Sequence, residues 1–177
     1  MYFDSRIFVF WASNCLLFVL SRMINSELAP FSLYLILLGP MLVLPALYFK
    51  YPSLIFCSFI TGLSVDALLP QPFWIFVYAF PVIALLIRFI RSHFRTETSY
   101  RFILLAHIAN CACIALLSIR QGIHFGELFA SLNQLAAIIL LSHVVLHLVT
   151  PWFFDFENLL IRLLKVEHAY EDQFSQL

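Results

Sequence analysis

Charge is scarce in this chain: Asp, Glu, Lys and Arg make up 11% of 177 residues, against about 25% in an ordinary soluble domain. That deficit excludes a water-exposed surface of the usual kind. The ten basic and ten acidic residues cancel, so the clustered positive charge that neutralises phosphates is missing and no nucleic-acid partner is expected. Glycine is equally sparse, with four in the whole chain. No glycine-rich phosphate loop, HExxH, GxSxG or pair of carboxylates occurs, so neither an enzyme nor a cofactor or metal is expected. Four cysteines, Cys15, Cys57, Cys111 and Cys113, all fall inside apolar runs and read as small buried residues rather than a disulfide frame or a zinc site.

What the chain has instead is apolar surface: 63% hydrophobic residues and a mean hydropathy of +0.95. The apolar residues come in blocks close to the roughly 20 needed to cross a bilayer, without the alternation of a barrel strand. The blocks cover about 7–20, 31–49, 53–69, 73–90, 102–119 and 128–149. The expected fold is therefore all-α, a polytopic membrane protein of six transmembrane helices over residues 1–154. A charged tail, 155–177, follows, in which Leu159, Leu160, Leu163 and Leu164 keep helical spacing and suggest an amphipathic helix on the membrane surface.

The first block has the length of a signal peptide, but no small-residue cleavage pattern follows it and it is read as a span, with Asn14 as an interhelical hydrogen bonder. Gly39-Pro40 and Pro45 interrupt the second block and predict a helix bent near its centre; a kinked packing helix is favoured over a cavity lining, because the block holds no ionisable residue. Lys50-Tyr51-Pro52 is too short a link for anything but an antiparallel pair. Six crossings put both termini on one side. Arg6, Lys50, Arg88, Arg91, Arg95, Arg101, Arg162 and Lys165 then face Arg22 and Arg120 across the membrane, and the excess marks the cytoplasmic side.

One stretch stands out. Ser58, Gly62 and Asp66 recur at four-residue spacing, so two small residues and an acid share one face near the end of the third block, before the turn Pro70-Gln71-Pro72. An ionised carboxylate at the centre of a spanning helix costs about 2.5–3.5 kcal/mol on insertion scales. Asp66 therefore either ends its helix at the headgroups or faces protein, where small residues let another helix approach. This face, with Pro70 and Pro72, is the candidate helix-packing or partner-binding site. The basic segment Arg88, Arg91, Arg95 and Arg101 is a candidate contact for anionic lipid or cytoplasmic protein.

The metal candidate is His143-x-x-x-His147, with His107 at a similar level, for which hydrogen-bonded packing histidines are the default reading. His107, Asn110 and Cys111 share a face of the fifth block. A cysteine–histidine nucleophile would further need the two groups in contact at an accessible surface.

The element Gly62-Leu63-Ser64-Val65-Asp66-Ala67-Leu68, a proline-containing turn, an aromatic fourth helix and the Arg-rich segment 88–101 together resemble the MreD family of bacterial rod shape-determining proteins. The likeness covers the layout of the whole chain and sequence detail over about residues 59–95. Pro70-Gln71-Pro72-Phe73-Trp74 departs from the glycine and serine that the family commonly has in this turn. The resemblance implies a non-enzymatic scaffold in the bacterial inner membrane, bound to an MreC-like single-span protein and through it to MreB and the cell-wall synthases, with no small-molecule substrate. That family is similar in fold to the substrate-binding subunits of energy-coupling-factor vitamin transporters, which supplies the alternative function.

Overall fold

The computed structural model describes residues 6–69, 74–93, 100–121 and 128–163. They form α1 (Arg6–Leu28), a 3₁₀ turn (Ala29–Phe31), α2 (Pro40–Tyr48), α3 (Tyr51–Leu68), α4 (Ile75–His93), α5 (Tyr100–Gln121) and α6 (Leu128–Leu163), with no strand among the described residues. Arg6–Phe31, Tyr51–Leu68 and Asn133–Leu163 are long and apolar enough to cross a membrane. Ile75–Ile90 and Phe102–Ser118 are apolar but shorter. Pro70, Pro72, Arg95 and the tail from 164 onward lie outside the described residues.

The second apolar block is not the bent helix that its length suggests. Residues 33–39 form no regular structure, and only the nine residues of α2 are helical. Pro40 sets the boundary: it starts the helix, where its missing N–H costs nothing, and Gly39 before it is the N-cap, held in helical geometry (φ −58°, ψ −50°) that a residue preceding proline usually avoids. Pro45 inside α2 removes the donor that Met41 O would receive. Asn14 replaces it, its Nδ2 donating to the Met41 carbonyl at 3.1 Å.

Irregular backbone away from water is tolerated only where protein satisfies every N–H and C=O. Side chains of three helices take up much of that pairing here. Asn25 on α1 accepts from Leu35 N at 2.6 Å and donates to Leu35 O at 2.9 Å. Asn110 on α5 accepts from Leu38 N at 3.0 Å and Gly39 N at 3.1 Å, and donates to Ile36 O at 2.8 Å. Ser142 on α6 accepts from Ile36 N at 3.0 Å, and Gln134 on the same helix donates to Ser32 O at 2.9 Å. Gly39 lets the segment reach α5: a Cβ there would stand 2.1 Å from Ala106 O. The segment and α2 occupy the middle of the bundle, and α2 touches all five other helices.

Around this centre lies a core in which Phe10, Leu42, Phe49, Leu54, Phe76, Phe80 and Leu146 are fully buried. Phe10 meets Phe49 edge-on at 5.2 Å, joining α1 to the α2–α3 link. Polar groups close both ends of the helices. Arg88 of α4 bonds the Phe49 carbonyl and stacks 4.6 Å from the Tyr51 ring centroid, while at the opposite end Arg22 of α1 bonds the Leu68 carbonyl. Each guanidinium thus completes a carbonyl left open at a helix C-terminus and lies at its negative pole.

The sixth helix also departs from expectation. It does not stop at Thr150-Pro151 but continues for 36 residues to Leu163, about 54 Å at the helical rise. Ser142, Leu146, Thr150, Phe153, Phe154 and Glu157 make one buried stripe through the proline, so residues 155–163 belong to the bundle. Glu157 and Asn158 fasten them there: Ser13 Oγ lies 2.6 Å from Glu157 Oε1, and Tyr48 donates to Asn158 Oδ1 at 2.9 Å.

Asn110→Ala should lower stability more than Asn25→Ala. The first strands three groups, each costing about 1–3 kcal/mol when buried, whereas the Asn25 pair is nearer the bundle end. Unfolding followed by circular dichroism in detergent measures both; equal losses would show that the central segment does not depend on its α5 partner.

Candidate functional site

The stripe Ser58, Gly62 and Asp66 is buried in the seam between α3 and α4, the most extensive helix pair in the structure. A Cβ at Gly62 would lie 2.2 Å from Phe76 O and 2.7 Å from Phe76 C, so the two backbones touch where the glycine sits. One turn on, Asp66 is 1% exposed and its Oδ2 accepts the Val77 N–H at 2.9 Å. Val77 is the third residue of α4, whose first N–H groups have no partner within their own helix. Asp66 therefore caps α4 from a neighbouring helix, with its charge at the positive end of that helix dipole.

Ser58, one turn before Gly62, contributes smallness: its Oγ is buried with no hydrogen-bond partner among the described residues. Gly62 and Asp66 thus face the protein's own α4, and Ser58 is buried on the same face of α3. Within the basic segment 88–101, Arg88 is the arginine whose side chain is described, and it bonds Phe49 O; Arg91 lies in the last turn of α4 and Arg101 in the first of α5.

A second constellation joins α5 to α6. His107 Nδ1 stands 2.6 Å from His143 Nδ1, and His143 Nε2 stands 3.2 Å from Cys111 Sγ. The His147 ring stacks on His107 with centroids 5.9 Å apart. The spacing brings the three histidines of the metal candidate together, but as hydrogen-bonded and stacked rings. Two nitrogens held about 2.0 Å from one ion stand about 2.8 Å apart even at a right angle, more than the 2.6 Å between His107 and His143. Among the described residues no three His, Cys, Asp or Glu could hold a metal ion.

Sequence reasoning missed Glu157, which it left in the charged tail and which is fully buried beside Ser13. The signal was present in the stripe Ser142, Leu146, Thr150, Phe153 and Glu157, had it been continued through Pro151. Also missed was an open cleft of about 730 Å³ between α4 and α5. Its walls are Ile75, Val82, Ile83, Ala112, Ala115 and Leu116, with Trp74 and Tyr78 toward the start of α4.

Gly62→Ala should destabilise by about 1–3 kcal/mol or more, because the obstacle is backbone and the helices must part. Asp66→Asn, which keeps an acceptor for Val77, should cost less than Asp66→Ala, and Ser58→Ala should stay within about 0.5 kcal/mol. Melting of the four variants in one detergent ranks them, and a neutral Gly62→Ala would contradict the seam. Comparison with protein family models, with curated proteins and with solved structures finds no match for this chain.

Proposed function

We propose that this protein is a non-enzymatic scaffold of the bacterial inner membrane, of the MreD kind, which holds an MreC-like single-span protein and through it serves MreB and the cell-wall synthases in maintaining rod shape. The observation that carries the reading is the open α4–α5 cleft, apolar on nearly all its wall and lined in part by the small residues Ala79, Ala112 and Ala115. Small residues let a helix backbone approach closely in lipid, and the cleft has room for the side chains of such a helix. Polar groups inside the bundle are engaged elsewhere: Asn14, Asn25, Asn110 and Ser142 hold backbone, and Asp66 holds α4.

In this reading the chain crosses the membrane six times with both termini in the cytoplasm. The second crossing is made by residues 33–39 together with α2. Nine helical residues span about 13 Å and seven irregular ones up to about 23 Å, enough for a hydrocarbon core of about 30 Å. A vitamin-type substrate subunit would need convergent polar groups in its cavity, and the cleft walls are apolar.

Ala115→Phe and Val82→Trp, at exposed positions that fill the cleft from α5 and from α4, should abolish capture of a coexpressed MreC-like protein while leaving the melting temperature unchanged. Full capture by both variants would overturn the proposed docking surface.

A further inference from the structure

His107 and Cys111 stand one turn apart on α5, as His143 and His147 do on α6, so the two pairs meet across the α5–α6 seam. His143 is engaged at both ring nitrogens, by Cys111 Sγ at 3.2 Å and by His107 Nδ1 at 2.6 Å. Two proton arrangements satisfy this chain. Either the thiol donates to Nε2 and Nδ1–H donates to His107, or His107 donates to Nδ1 and Nε2–H donates to sulfur. A nucleophile, a base and a group that orients the base are thereby in line.

Cys111 is the exposed cysteine; Cys57 and Cys113 are buried and Cys15 is half-buried. Leu104 and Ile108, exposed on the turns of α5 before it, open the thiol onto apolar surroundings.

We infer that Cys111 is an oxidisable thiol that reacts with hydroperoxides dissolved in the membrane, with His143 as its general base and His107 as the positioning residue. In the step, the S–H proton passes to His143 Nε2 and sulfur attacks the terminal oxygen of ROOH. The O–O bond breaks, the departing alkoxide takes the proton from Nε2, and the products are ROH and a sulfenic acid on Cys111. Sulfur is oxidised by two electrons and the peroxide is reduced by two. Acyl transfer at this thiol would need free N–H donors for an oxyanion, but the neighbouring backbone amides lie in mid-helix and are spent within α5 and α6. Peroxide cleavage needs a base that returns its proton, which His143 supplies. The added oxygen would displace sulfur from Nε2, so oxidation changes the α5–α6 seam directly. Cys111 does not itself line the α4–α5 cleft, and the inference does not rest on the scaffold reading.

The full chain in lipid nanodiscs is treated with linoleic acid hydroperoxide or hydrogen peroxide, and sulfenic acid is trapped with dimedone and located by peptide mass spectrometry. Cys111 should be labelled first, and His143→Gln should slow its labelling by about a hundredfold while Cys15 is unchanged and serves as the folding control. His107→Gln, which retains a hydrogen-bonding side chain, should preserve more of the rate than His107→Phe. Labelling of Cys111 no faster than Cys15, or an unchanged rate in His143→Gln, would overturn the assignment. A rate no greater with the lipid hydroperoxide than with hydrogen peroxide at equal concentration would overturn its membrane source.

Discussion

A peptide group cannot be left unpaired away from water, where each orphan costs several kcal/mol, and the centre of this bundle is irregular backbone. Residues 33–39 meet that constraint by borrowing side chains: Asn25 from α1, Asn110 from α5, Ser142 from α6. Asn14 repairs the one place where α2 itself lacks a donor. Much of the remaining architecture follows. Gly39 brings the segment against the α5 backbone so that Asn110 can reach it, and α6 must lie close enough for its serine to receive Ile36 N–H.

The α3–α4 seam repeats this logic with different residues. A glycine brings two backbones together, and a polar side chain one turn away takes up an N–H that the helix cannot satisfy alone. Asp66 thus has a structural task sufficient to account for an acid in an apolar helix. With the buried polar residues occupied in this way, the α4–α5 cleft and the Cys111–His143 contact, on which the proposed docking and thiol chemistry rest, lie at the periphery.

Much of this was legible in the sequence. Low charge and long apolar blocks pointed to an all-helical chain, in which three helices are long and apolar enough to cross a membrane, Asn14 read as an interhelical bonder, and the spacing of Ser58, Gly62 and Asp66 placed them on one face. The neighbour of that face could not be read, because Gly62 and Asp66 meet backbone atoms of Phe76 and Val77 rather than side chains with a pattern of their own. The irregular segment was hidden for a similar reason: an apolar run looks alike whether helical or not. Pro40 and Pro45 marked the break, but apart from Asn25, ten positions before Leu35, the residues that make it stable lie 71 to 106 positions further along. Glu157 was concealed by Pro151, which resembles a helix end until the buried stripe is traced past it.

That separation along the chain bears on biogenesis. Ile36, Leu38 and Gly39 are made early, yet their hydrogen-bonding partners belong to α5 and α6, which leave the ribosome much later. Until then these backbone groups lack the partners they have in the folded chain and must pair with water or with other protein. The centre of the bundle is therefore completed only by the last two helices to be made.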